Sequence, residues 1–471
     1  MSLLKNTSTV LIGAAILSLV AFVNGYPLVY SDTGTYIMSG REMWIPIDRP
    51  IAYGLFIRLF GSVSLWTVII AQNILTSYIL FEAFRLFFPI DKKFRFYFFG
   101  TIGLLTFLTG ISYYTNQLMP DFLTALMILG IFILCYAKNL GSVRFIAISL
   151  LVIFCIITHF SHLLIASGLA VAILCYHSFL FRKRLAKHAL SISLKKALLV
   201  MVIACSGWLV LPTLNWIISG EFYQSKSSHI FFMGSMADKG ILQQFLKDEC
   251  GKPEWSDCKM CQYKNEIPQE VAVFLWDGGD SSVFMKTGGW MHSKTEYNKI
   301  IHATLVNPKY SSQHVYKAIA YGLTQLFENR IGEGLGRYRE NSSPWANIIS
   351  YYRIEFNMYM NSKQNRAGGP GLNLEILNNI NLLLLMFCVL YTVYIYFSPA
   401  REHFDRMTVW FLTIMLLGIV MNSMVTAGLS APYGRYQTRV VWLMELAIII
   451  FSIKNSETIK GSVYTVFKRP G

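Results

Sequence analysis

The sequence predicts an all-α polytopic membrane protein of about ten transmembrane helices with a mostly helical extracytoplasmic domain, and three observations predict it. Of the 471 residues, 54% are hydrophobic and only 14% charged, with a mean hydropathy of +0.45. A soluble chain carries about 25% charged residues, so the surplus apolar surface has to meet lipid. Uncharged stretches at 6–23, 61–81, 96–120, 197–220, 376–400 and 407–434 each hold enough residues to cross the hydrocarbon as helix, which takes about 20. Finally, Lys and Arg recur in alternate loops, as cationic side chains do on the cytoplasmic side of a membrane.

Taken in order, 6–23 follows Lys5 and reads as an uncleaved anchor, since its apolar core is long and no small-x-small cleavage site follows. The first external loop, 24–60, is rich in Tyr, Asp, Arg and Pro, and its end at 51–60 is amphipathic enough to lie along the interface as a short helix. Shorter apolar runs at 122–137, 145–158, 163–181 and 440–453 complete the expected spans. Residues 1–220 then form an N-terminal transmembrane module and 375–471 the last helices with a short tail. Between them, 221–374 is the extracytoplasmic domain, with helical periodicity at 241–247, 295–305, 314–327 and 345–360.

This arrangement puts Lys5, Lys92, Lys93, Arg95, Lys138, Arg144, Arg182, Lys183, Arg184, Lys187, Lys195, Lys196, Arg401, Arg406, Lys454, Lys460, Lys468 and Arg469 on one side. That side is the cytosol. Both termini are therefore expected in the cytoplasm, and the membrane is expected to be the bacterial inner (plasma) membrane. The formal charge of +15 is thereby assigned to topology, with no nucleic-acid partner. A reporter fused after Arg184 should read as cytoplasmic and one after Gly371 as external; the opposite pattern would invert the whole assignment.

The short cytoplasmic loops hold no nucleotide-binding domain and no Walker or GxGxxG motif. Cys135, Cys155, Cys175, Cys205 and Cys388 fall in apolar spans and read as small buried hydrophobes. Cys250, Cys258 and Cys261 cluster in the external domain, where an oxidising compartment favours one disulfide, Cys250 with either Cys258 or Cys261.

Candidate chemistry gathers on the external side. Asp32 stands in Tyr30-Ser31-Asp32-Thr33-Gly34, just after the first span. A partly desolvated carboxylate there serves as a general base or a metal ligand, or else simply caps a helix. Arg49, in Asp48-Arg49-Pro50-Ile51-Ala52-Tyr53, suits bidentate phosphate binding, or is an arginine snorkelling at the interface. Asp121 follows Met119-Pro120 at the head of a span, again as an acid or a cap. His159 and His162 flank an external turn as phosphate or proton handlers, or as plain polar loop residues. In Tyr433-Gly434-Arg435-Tyr436-Gln437-Thr438-Arg439, two arginines stand where the charge rule disfavours them, which calls for an anionic partner.

The order of these marks, a first-loop acid, Arg49-Pro50-x-x-Tyr53, Pro120-Asp121 opening a span and a late Arg435-Tyr436, resembles the GT-C superfamily of membrane glycosyltransferases, such as protein mannosyltransferases and aminoarabinose transferases. The resemblance covers the first 180 residues in motif and the rest in topology. It implies a polyprenyl-phosphate-linked sugar as donor and an extracytoplasmic acceptor (glycan, lipid or protein). It also implies Asp32 as base, Asp121 as second acid, and a site that a divalent metal such as Mg or Mn can join through Asp32 and Asp121. Arg49, Tyr53, His159, His162, Arg435 and Tyr436 would bind substrate. The chain departs from the superfamily in having Ser31 where a paired acid is usual, and in placing its large domain before the last three spans instead of at the C-terminus. A separate consideration points to a lipid carrier: nucleotide sugars are cytosolic, whereas the candidate acids are external. Two other classes compete: a transporter or flippase of lipid-linked glycans, with charges lining a path through the membrane, and an envelope assembly or docking protein.

Overall fold

The computed structural model describes residues 2–176, 194–369 and 371–459. The basic run Arg182, Lys183, Arg184 and Lys187, the end of the expected 163–181 span, and Lys460, Lys468 and Arg469 lie outside the described residues. All the regular structure described is helical.

The first crossing is α1 (Ser2–Leu17) continued by α2 (Leu19–Asn24). It ends at Gly25, whose left-handed backbone (φ 84°) lets its N–H close on the carbonyls of Ala21 and Phe22. Next come α3 (Thr33–Glu42), α4 (Ala52–Phe60), α5 (Leu65–Phe84), α6 (Lys92–Leu108), α7 (Ile111–Thr115), α8 (Phe122–Tyr136), α9 (Ser142–Ile157), α10 (Phe160–Cys175) and α11 (Leu194–Ser219). Six helices are long and apolar enough to cross a membrane: Asn6–Asn24, α5, α11, and the later α22 (Glu375–Phe397), α23 (Arg406–Leu429) and α24 (Gly434–Lys454). Helices α8, α9 and α10 are shorter apolar rods.

Two expected boundaries move. The uncharged stretch 96–120 is not one rod: α6 begins at Lys92 and stops at Leu108, where Thr109 turns extended and returns its hydroxyl to the Leu105 carbonyl at 2.7 Å. The last span starts at Gly434, not at 440, so Arg435 and Arg439 ride on its first turns. Glu333 explains the early start: its Oε2 accepts the free backbone N–H of Arg435 at 2.8 Å, satisfying a donor the helix cannot.

One end of the bundle collects the basic loops. Glu82 meets Arg85 and Arg144 at 3.0 and 3.1 Å, Lys196 Nζ donates to the Ala137 carbonyl at 2.5 Å, and Lys454 Nζ to that of Phe87 at 3.1 Å. The acids and arginines of interest sit at the other end, here called the site end.

The segment between α11 and α22 divides in two. Helices α12 (Ser228–Asp238), α13 (Ile241–Glu249), α14 (Lys259–Gln262), α15 (Val271–Trp276), α16 (Val283–Lys286), α17 (Gly289–His292) and α18 (Lys294–Val306) enclose a second apolar core centred on Ile230, Leu242, Phe245, Phe274 and Tyr297. The disulfide is Cys250–Cys261 (Cα–Cα 5.5 Å), and Cys258 stays a buried thiol against Glu296. From there α19 (Pro308–Leu326) runs back along α23. The expected helix 345–360 is broken into α20 (Ser343–Tyr351), a short turn and α21 (Phe356–Asn361). This part belongs to the main core: Glu355, buried, accepts from Tyr26 Oη at 2.8 Å and from the first N–H of α5 at 3.2 Å. The turn carrying Glu355 thus caps a span from outside the membrane bundle.

Candidate functional site

Two acids distant in sequence are joined by a short piece of pairing. Leu28 N–H donates to the Asn116 carbonyl and Leu118 N–H to the Leu28 carbonyl, both at 2.9 Å, in an isolated parallel bridge of Leu28 with Gln117. Asp32 lies four residues beyond one strand of that bridge and Asp121 four beyond the other. Buried amides fix both sides. Gln72 and Asn73 of α5 hold the turn after α7: Gln72 Nε2 donates to the carbonyls of Thr115 and Gln117, and Asn73 Nδ2 to Asn116 Oδ1 at 3.0 Å. On the far side Gln364 brackets Val29, accepting its N–H at 3.1 Å and donating to its carbonyl at 2.8 Å.

Neither acid caps a helix. Each occupies an N-cap position in helical backbone with no side-chain cap bond, so the capping alternative does not describe them. Their carboxylates turn instead to arginines. Asp32 Oδ1 lies 3.2 Å from Arg49 Nη2, and Asp32 Oδ2 is 3.8 Å from Arg435 Nη1. Asp121 Oδ1 is 3.7 Å from Arg435 Nε and 3.2 Å from Arg439 Nη1. Arg435 therefore stands between the acids, with its guanidinium over the Tyr30 ring at 4.3 Å and the Tyr436 ring at 5.1 Å. Arg49 lies over Tyr36 and donates from Nε to Asp48 Oδ2 at 3.0 Å. Arg439 reaches Asn422 Oδ1 at 2.9 Å.

Exposure is graded along this chain of charges: 27% for the Asp32 side chain, 12% for Arg49, 13% for Arg435, 1% for Asp121 and none for Arg439. The gradient makes Asp32 the mouth and Asp121 the floor. Four buried atoms here have no hydrogen-bond partner among the described residues: Arg49 Nη1, Arg435 Nε, Arg439 Nε and Asp121 Oδ2. Unmet donors on two guanidinium groups beside a reachable carboxylate form a ready receptor for an oxyanion. Burial pushes the Asp32 carboxyl up, but Arg49 first and Arg435 second outweigh it and hold it below the ordinary carboxylate range.

Other expected ligand contacts are placed differently. Tyr53 is fully enclosed and spends its hydroxyl on Gln72 Oε1 at 2.5 Å, which makes it a support for the Thr115–Gln117 turn. His162 is likewise buried, between Thr124 Oγ1 at 2.6 Å and the Cys155 carbonyl at 2.7 Å. His159 caps α10 by accepting the Ser161 N–H through Nδ1. Tyr436 lies under Arg435 and Arg439 as an aromatic platform.

The sequence marked Arg439 but gave no role to two further contributors, Asp48 and Glu333. Arg439, expected with Arg435 to need an anionic partner, shares its helix face four residues on and meets Asp121. Asp48 is simply adjacent to Arg49. Glu333 had no signal, because only the fold returns its loop to the site. That loop lies against Tyr30 at Gly334, where the backbone is left-handed (φ +75°) and any side chain would overlap the ring. A narrow cleft lined by Tyr113, Tyr114, Gln117, Glu333 and Arg435 opens beside it.

The donor set does not fit a divalent cation. Asp32 and Asp121 are each already faced by two guanidinium groups, and no group of three or more His, Cys, Asp or Glu converges among the described residues. A dication would sit against like charge with too few oxygens. Comparison with family models, with curated proteins and with solved structures gives no match to this chain.

Proposed function

We propose that the chain is a membrane glycosyltransferase of GT-C type, moving a sugar from a polyprenyl-phosphate carrier to a hydroxyl-bearing acceptor on the external face of a bacterial inner membrane. The topology proposed with it is ten crossings, with both termini cytoplasmic. The observation that carries this reading is the convergence of Asp32 with Arg49 and Arg435, two arginines with unmet donors, at one end of a bundle of apolar helices.

In the proposed reaction the donor phosphate engages Arg49 and Arg435. This frees Asp32 from its pairs and raises its basicity where it is needed. Asp32 accepts the proton of the acceptor hydroxyl, the acceptor oxygen bonds to the anomeric carbon, and the bond from that carbon to the phosphate oxygen breaks. Polyprenyl phosphate leaves with its new charge on the two arginines, which are fixed in place before the reaction by aromatic rings and buried acids. Asp121, itself paired with Arg439, holds Arg435 from beneath. The gathering of charge at one end favours transfer over transport. On the transporter side stands Glu445, buried in α24 with both carboxylate oxygens lacking a hydrogen-bond partner among the described residues.

The test is the pH dependence of sugar transfer from a synthetic polyprenyl-phosphate sugar in proteoliposomes. A carboxyl depressed by its partners remains an anion until pH falls through its own lowered value, so activity is retained above that value and lost below it. The acid limb of kcat/KM, which reports the donor-free site, should lie below the ordinary carboxylate range of about 4. The limb of kcat, which reports the occupied site, should lie higher. Arg49→Gln removes the larger lowering charge and should move the kcat/KM limb upward. Limbs that coincide and ignore Arg49→Gln would remove Asp32 as the base.

A further inference from the structure

We infer that α19 is a membrane-seated helix whose exposed face is covered by lipid acyl chains, so that the second core is held to the bilayer by it as well as by the spans on either side. This goes beyond the transfer reaction and does not depend on it.

The helix starts in water. Lys309 pairs with Asp248 at 2.6 Å, and Ser312 is exposed. Beyond residue 313 the character of its open face changes. The exposed positions are Val315 (62%), Tyr316 (69%), Ile319 (52%), Leu323 (48%) and, at the cap, Phe327 (80%). At about 100° per residue these fall within an arc of about 120°, a continuous stripe down one side. The remaining exposed position, Thr324, returns its hydroxyl to the Ala320 carbonyl at 3.1 Å, so it offers water nothing that the helix does not already satisfy. Past Lys309 the one charged side chain on α19 is Lys317, half-buried and just before Ala318, off the stripe.

The opposite face fixes the depth. Gly322 lies against Met424 and its carbonyl accepts from Ser423 Oγ, while Ala318 faces Gly428. Helix α23, one of the six apolar spanning candidates, ends at Leu429. Ala318 is therefore level with the last turn of a span, and each later residue lies deeper; Phe327, nine residues on, is about 13 Å further at helical rise. From Ile319 to Phe327 the stripe is thus at hydrocarbon depth, with Val315 and Tyr316 at its outer edge, and Val420 and Leu429 are likewise exposed on α23. In water the same stripe would be a standing apolar patch. In the leaflet on the site side it needs no other partner.

Two measurements test this in vesicles of phosphatidylethanolamine and phosphatidylglycerol. Spin labels at Ser312, Ile319 or Leu323 go on a chain whose free cysteines are replaced by Ala while Cys250 and Cys261 remain. Labels at 319 and 323 should be reached by oxygen and shielded from a water-soluble nickel chelate, with 312 open to nickel. Nickel access at 319 and 323 equal to that at 312 overturns the inference, and so does closure to both reagents, which would mean that protein covers the stripe. In parallel, the wild-type chain is photolabelled by a diazirine on a lipid tail. Modified residues within 315–327 are expected; labelling of α22 and α23 with none there overturns the inference independently of any variant.

Discussion

Asp32→Asn should lower sugar transfer by about two to four orders of magnitude, the range for loss of a positioned base, while the protein folds as before. The fold is spared because Asp32 makes no cap bond and no partner is stranded by the change. Arg49 keeps Asp48, bonded at 3.0 Å, and Arg435 keeps Asp121 at 3.7 Å. The side chain is itself 27% exposed, so the pairs it loses contribute about 0–1 kcal/mol each. Asn preserves shape and some hydrogen bonding but removes the charge that takes the proton. A transfer assay with donor and acceptor both saturating isolates that step. Asp48→Asn is the informative companion: it loosens Arg49 without touching the base, and should weaken donor binding more than it slows the saturated reaction. Unchanged turnover in Asp32→Asn would end the proposed mechanism and bring the transport or docking readings forward.

Much of the site was legible because membrane topology is a coarse but strict sorter. The charge rule expects Asp32, Arg49, Asp121 and Arg435 on the side opposite the basic loops, and the fold brings the four side chains together at the end of the bundle away from Lys196 and Lys454. Hydropathy reads chemistry per residue and not backbone geometry, so it carried 96–120 through as one rod. The break at Thr109, which frees 109–120 to build the bridge to Leu28, costs no apolarity and leaves no mark in the pattern. Packing partners were equally out of reach for Tyr53 and His162, expected at the ligand. Their polar atoms are engaged by Gln72 and Thr124, partners contributed by other helices. Glu333 was out of reach for a related reason: it lies 102 residues before the amide it caps, and nothing in its Gly-rich surroundings points there. The choice of Cys261 over Cys258 for Cys250 likewise rests on the packing of Cys258 against Glu296, a contact 38 residues away.

The second large effect is on stability and concerns the floor of the site. Arg439 is wholly buried and Asp121 nearly so, at 3.2 Å from each other. Asp121→Leu removes the acid and leaves Arg439 with only the neutral Asn422 and Ser161 oxygens, at 2.9 and 3.5 Å. Stranding a charge in that way costs about 3–5 kcal/mol. Arg439→Met should cost less, because Arg435 still faces Asp121 Oδ1 at 3.7 Å. The double variant, with neither charge left to solvate, should regain much of the loss, so that the two single losses exceed the double by about 1–3 kcal/mol. Denaturant unfolding of the full chain in detergent micelles measures all three. Transfer should not return with stability, since Arg435 would have lost the support that aims it at the donor phosphate. Losses that simply add would mean that Asp121 and Arg439 are neighbours without coupling, and Arg439 would drop out of the proposed support for Arg435, leaving Asp121 and the Tyr30 and Tyr436 rings.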